Sequence, residues 1–261
     1  MKLTVNDGHD NSTPLIQTVE VYPIMGKQLF TFNNLSNSEQ TNIPFTFASV
    51  FKKGGVLQEQ SLSLKLANEQ IIPLQTNIKA LHNDNHSIHH AIFSGFFPKM
   101  SALETINAEI VASTQSSQPE VQYNKGNLSS NPNFPIDLAS LIDSHWNLTI
   151  DITLQDVTYH VNAKTLLLNQ PSTHWLQGEV VNEWIVAGHF VNPNNEIHPH
   201  LLAQLAIRVY GNLDHIRTSF TIENGSAYTA SPKNLTYDIS VKQNNDIIYS
   251  QNALNHLRNT R

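Results

Sequence analysis

The sequence predicts an all-β chain, and three observations carry that prediction. The dominant hydrophobic period is two, the signature of strands that bury one face. About a dozen such runs alternate with Gly, Asn, Asp and Pro turn signals. One long stretch without periodicity, residues 113–135, separates two strand-rich halves. The expected organisation is a barrel-like module over residues 1–112, a linker or long loop over 113–135, and a sandwich-like module over 136–261. No internal repeat is visible.

In chain order, Leu15 to Tyr22 alternates Ile16, Thr18 and Glu20 against Gln17, Val19 and Val21. Residues 43–51 set Phe45, Phe47 and Phe51 on one face, and Lys52-Lys53-Gly54-Gly55 turns the chain. Ser61 to Leu66 puts Leu62, Leu64 and Leu66 opposite Ser61, Ser63 and Lys65. The short polar loop 67–70 returns it into Ile71 to Ala80 as an antiparallel hairpin. Ile88 to Phe93 and the run with Ile106, Ala108 and Ile110 follow. Asp137 to Ser144 has the spacing of a short helix. His145 to Leu154 and Val157 to Leu168 are expected to pair across Gln155-Asp156. Gly178 to Val191 is a further strand. Leu201 to Tyr210 and His215 to Glu223 flank the turn Gly211-Asn212-Leu213-Asp214. Leu235 to Val241 and Ile247 to Ser250 form a last hairpin around Asn244-Asn245. Asn252 to Arg261 is helix-compatible, with no evident core partner.

Composition removes several function classes. Charged residues are 14% of the 261, against roughly 25% in ordinary soluble domains. Asn, Gln, Ser and Thr supply the polarity, which suits packing into an assembly or contacting neutral ligands and equally fits a compositional bias of the genome. Lys and Arg number 15 against 21 Asp and Glu, a net charge of −6 with no basic stripe, which argues against nucleic-acid binding. There is no Cys, so disulfides and thiolate metal sites are excluded. No apolar run approaches the roughly 20 residues of a membrane span. Met1 to Pro14 lacks the apolar region of a secretory signal. A virion or cytoplasmic location is expected.

The densest group of chemically capable side chains is His82, Asp84, His86, His89 and His90. On a helix, His82, His86 and His90 would share a face and invite zinc. The flanks read as strands and Asn83-Asp84-Asn85 forms turns, so the patch reads as a hairpin loop. A polar turn with solvated histidines, a carbohydrate or interface loop, and a metal site remain open. Glu183 beside Trp184 is a second candidate, since an indole face takes the apolar side of a sugar ring; a core Trp with a surface Glu is the plainer alternative. His198 and His200 are a third, because i and i+2 share a strand face and two imidazoles there can ligate a metal. Pro199 between them suggests a loop instead. There is no Gly-rich phosphate loop and no Gly-x-Ser-x-Gly. Carboxylate pairs for glycoside hydrolysis can be drawn from the acidic residues, but nothing selects two of them. No catalytic residue, metal or cofactor is assigned.

Several segments together resemble a known family. They are Pro44-Phe45-Thr46-Phe47-Ala48-Ser49-Val50-Phe51, Ile72-Pro73-Leu74-Gln75, His82-x-Asp84, Ser87-Ile88-x-His90-Ala91, Glu183-Trp184-Ile185-Val186, His198-Pro199-His200, Arg208-Val209-Tyr210 and Ala253-Leu254-x-His256. The set is similar to the N-terminal β-rich region of exo-rhamnogalacturonan-lyase/YetA-like proteins, whose opening module is a RIFT-type barrel. The chain departs from that family at the turn Asp84-Asn85-His86-Ser87, one residue longer than usual, and at His89, where a basic residue is usual. The family's catalytic helical barrel lies downstream of the region matched, so the resemblance implies the β-rich front end alone. Related modules serve as structural parts of phages. The expectation is a non-enzymatic virion structural protein, tail-associated, that contacts other subunits in an oligomeric assembly, with host polysaccharide as a candidate ligand. The alternatives are a carbohydrate-binding front domain of a polysaccharide lyase-like enzyme and, more weakly, a metal-dependent enzyme at the His patch.

Overall fold

The computed structural model describes residues 2–3, 15–16, 28–83, 86–113, 146–169, 173–211, 216–225 and 233–260, and their architecture is all-β. Among them no helix is long and apolar enough to cross a membrane. The chain divides into two compact units. The first comprises Met1–Asn33, Ala48–Ile92 and Thr105–Ser117; the second comprises Asn34–Phe47, Phe93–Glu104 and Gln118–Arg261. Two segments of the expected 1–112 module thus belong to the second unit. Apart from Ser113, the expected linker lies outside the described residues, as does the expected helix at 137–144.

In the first unit, β1 (Lys2–Leu3) pairs antiparallel with β2 (Leu15–Ile16). β3 (Leu29–Asn33) was not expected from the sequence. Next come β4 (Gln40–Val50), β5 (Ser61–Leu66), β6 (Ile71–Pro73), β7 (Gln75–Leu81), β8 (Ile88–Met100) and β9 (Thr105–Ser113), of which β4 and β8 run from one unit into the other. They form a four-stranded sheet in the order β3-β9-β5-β6 and a three-stranded sheet in the order β4-β8-β7. Leu62, Leu64 and Leu66 are buried, as the alternation of β5 requires. The β5–β6 hairpin turns with Glu69 at φ 67°. The strand expected over 71–80 breaks at Leu74. Pro73 has no N–H to continue a ladder, and the Leu74 N–H is given to Leu62 O at 3.3 Å. Pro44 is tolerated in β4 because that strand lies at a sheet edge.

Of the expected Phe face, Phe45 and Phe47 lie on β4, whereas Phe51 falls just beyond the strand and in the first unit. In the second unit the Phe45 ring lies 4.6 Å from Phe97 and the Phe47 ring 5.4 Å from Phe93. Gly95 is required there, since a Cβ on it would sit 2.6 Å from the Phe45 ring.

The rest of the second unit is an eight-stranded antiparallel sheet. Its strands are β10 (Leu148–Leu154), β11 (Val157–Asn162), β12 (Thr173–Leu176), β13 (Val181–Val191), β14 (Ile197–Tyr210), β15 (Ile216–Asn224), β16 (Leu235–Gln243) and β17 (Asp246–His256). The order is β15-β14-β13-β11-β10-β16-β17, with β12 beside β13. The end of β15 meets the chain after β17 through an Asn224–Thr260 bridge, so the sheet is nearly closed and barrel-like. This near-closure lies in the half for which the sequence suggested a sandwich. Leu148, Ile150, Ile152, Leu205, Ile207 and Val209 point into one continuous core.

The Gln155-Asp156 hairpin forms without glycine, both residues taking positive φ (50° and 64°). The strand expected to run on to Leu168 stops at Asn162, and α1 (Ala163–Asn169) takes over. Asn162 Oδ1 accepts the Thr165 N–H at 2.9 Å, an N-cap that satisfies one orphan donor of the first turn. The helix buries Ala163 and Leu167, and Gly188 leaves room on β13 for Leu166. The expected helix-compatible tail is strand as far as His256.

Candidate functional site

The first candidate group of the sequence lies in the first unit and the other two in the second. The first is a loop between β7 and β8, as the strand reading requires. His82 Nε2 lies 2.9 Å from Phe51 O, so that nitrogen carries the proton and donates. The His82 ring meets His89 at 4.7 Å. The backbones of His82, His86 and His89 bond to Ser87, Gln58 and Phe51. His86 and His89 are exposed and His90 is half-buried. Asp84, the carboxylate of the patch, lies outside the described residues. Among the described residues no group of three or more His, Asp or Glu is arranged to hold a metal ion.

The second candidate separates into two halves. Adjacent strand residues point to opposite faces, so Glu183 and Trp184 do not cooperate. Trp184 is 3% exposed, within the barrel core, against His174 at 5.1 Å. Burial lowers the His174 pKa, so the ring is neutral beside the indole. A sugar cannot stack on Trp184; the exposed tryptophan of this sheet is Trp175 on β12, 40% accessible.

Glu183, on the other face, is buried in an ion pair rather than exposed. Its Oε2 accepts Arg208 Nη2 at 2.8 Å and Nε at 3.2 Å across the β13–β14 register. Arg208 Nη1 donates to the Tyr210 hydroxyl at 3.4 Å. Arginine can only donate, so the Tyr210 oxygen accepts from it, and the same hydroxyl hydrogen-bonds Thr46 Oγ1 at 3.1 Å. Thr46 Oγ1 in turn shares a hydrogen bond with Ser94 Oγ at 3.0 Å. Burial alone would lower the Arg208 pKa; the bonds to Tyr210 and Glu183 outweigh it and leave it raised. The chain is closed at every step and carries Tyr210 onto the strands of Thr46 and Ser94.

The third candidate lies in strand rather than loop, and both its imidazoles are buried. Between the pairs His189↔Leu202 and Val191↔Ile197 the ladder slips, so residues 198–201 have no register partner on β13. Pro199 fits this interval because it has no N–H to place in a ladder. The His198 ring takes over as acceptor: Nδ1 receives the N–H of His200 at 3.2 Å and of Leu201 at 3.1 Å. That leaves Nδ1 no lone pair for a metal. The ring meets Tyr159 edge-on at 4.9 Å and His200 at 6.1 Å. The His200 Nδ1 is buried and has no hydrogen-bond partner.

A fourth group was not singled out from the sequence. Tyr237 donates to His256 Nδ1 at 2.8 Å, and His256 Nε2 donates to Thr260 O at 3.2 Å. Burial pushes the Tyr237 hydroxyl up to about 12, which keeps it protonated as the donor. Asn224 gathers the same region: its N–H bonds Thr260 O at 3.0 Å, its O accepts Asn259 N–H at 2.6 Å, and its side chain reaches Lys233 O and His256 O. Together these bonds close the barrel seam. The available signals were the i, i+2 pair Arg208 and Tyr210 and the lone His256, both legible only once a strand partner is known.

The sequence matches no protein-family model and no curated protein.

Proposed function

We propose that the chain is a non-enzymatic structural component of a phage virion, associated with the tail as a fibre, receptor-binding or anchoring part. The observation that carries the reading is the exposed apolar run on β17. Ile247, Ile248 and Tyr249 are 61%, 57% and 47% accessible, on a strand at the sheet edge. Ile247 lies opposite Lys242 and Tyr249 opposite Val241, with Ile248 in the bulge between them; exposed apolar side chains along a strand edge mark contact surfaces. Asp246 is the single charge of the segment 246–252. β17 is bulged twice against β16, which hinders strand addition; contact through side chains fits it better. The weakly charged composition and the resemblance to phage-borne β-modules support the virion setting. Density-gradient fractionation of particles from the producing host, read by mass spectrometry, tests it. The chain is expected to co-sediment with tails; recovery solely as free monomer would sink the proposal.

A second reading, a carbohydrate-binding front domain of a polysaccharide-degrading enzyme, is favoured by one observation, the exposed Trp175. It predicts oligosaccharide binding on a glycan array that falls at least tenfold in Trp175→Ala, while Trp184→Phe retains it. A flat array removes this reading.

A further inference from the structure

We propose that His198 is an acid-operated latch on β14: its neutral ring holds the backbone at residues 198–201, and protonation releases it. Two buried N–H groups, those of His200 and Leu201, have no β13 partner where the ladder slips. Buried backbone donors need an acceptor, and leaving one unmet costs about 1–3 kcal/mol. The acceptor is His198 Nδ1, so the neutral ring carries its proton on Nε2. A second proton has only Nδ1 to occupy. There it abolishes both hydrogen bonds and points an N–H at two N–H groups. The protonated ring cannot stay where it is.

The groups facing the ring agree. Tyr159 comes from β11, His200 from β14 and Lys233 from the segment ahead of β16. Burial first, and the neighbouring His200 and Lys233 charges after it, push His198 from the ordinary 6.5 down to about 4. The folded chain therefore binds this proton less readily than the unfolded chain. The latch is fully held above pH 6.5, weakens as pH falls below that value, and loses no more below about pH 4. Leu201 pairs with Asn224, the residue that bridges to Thr260. Release at 198–201 thus reaches the barrel seam. The latch stands apart from the virion reading and from its test.

Hydrogen-exchange protection at the His200 and Leu201 amides, corrected for intrinsic rates, reads the latch directly on the full chain. Protection is expected to fall roughly tenfold or more between pH 7 and pH 4.5. His198→Asn keeps an acceptor oxygen near the Nδ1 position but cannot titrate, and should flatten that response. His200→Gln should leave it in place. Equal acid loss in His198→Asn, or a flat response in the unmodified chain, would overturn the proposal, as would a response abolished by His200→Gln. If His198→Asn fails to fold, nitrogen NMR of the unmodified chain decides. The Nε2–H tautomer at pH 7, titrating together with amide loss, supports the latch; an Nδ1–H tautomer, or titration without amide loss, rejects it.

Discussion

Glu183 shows how a single residue can be picked out for the wrong reason. The sequence drew attention to it beside Trp184, yet the strand period sends neighbours to opposite faces. Its partner is Arg208, directly across β14. Both side chains are largely buried, at 8% and 15% accessibility. Removing one member strands the other, so Glu183→Ala is expected to cost about 3–5 kcal/mol in urea unfolding. The paired change Glu183→Leu with Arg208→Met should recover most of that, because no uncompensated charge remains. A single-variant cost below about 1 kcal/mol would show that the pair is not buried in solution. The Glu183–Trp184 error was avoidable by applying the predicted alternation to the pair itself. The role of His198 was not avoidable, because which N–H groups meet its ring depends on a slip in the β13–β14 register.

At the scale of elements, strands with clean alternation were legible and their ends were not. β5 and β10 bury the leucines and isoleucines their pattern requires. The hairpins at Gln155-Asp156 and Asn244-Asn245 form where turn residues announced them. Besides β3 and β12, which were not expected at all, three elements differ in type or extent. α1 continues an apolar run that reads equally well as strand; the Asn162 cap and the packing of Leu166 at Gly188 decide for helix. β14 begins before Leu201, since the Pro199 signal for a loop is absorbed by the interval without a β13 partner. β17 extends to His256 because Ala253 takes φ 52° in a bulge, with its N–H on Asp238 Oδ1 at 2.8 Å. Tertiary pairing overrides local propensity at each of these places.

For the molecule as a whole, near-closure of the eight-stranded sheet rests on a few bonds at its seam. Asn224 and His256 are the fixed points, and residues 257–260 supply the partners. Deleting residues 257–261 removes the two backbone bonds to Asn224 and the acceptor of His256. At about 1 kcal/mol per bond this costs about 2–3 kcal/mol, a drop in Tm of roughly 5–10 °C by calorimetry. An unchanged Tm would mean that the seam contributes nothing to stability.

The all-β class, the hairpin turns at Gln155-Asp156 and Asn244-Asn245 and the buried face of the regular strands were legible in the residues alone, because period-two burial and turn chemistry are local properties. Strand pairing in three dimensions set which half approaches a barrel, which residues cross from the first half of the chain into the second unit, and which polar side chains meet. Those outcomes depend on strand order and register, where a slip of one residue changes every partner and leaves no mark on a strand's own pattern.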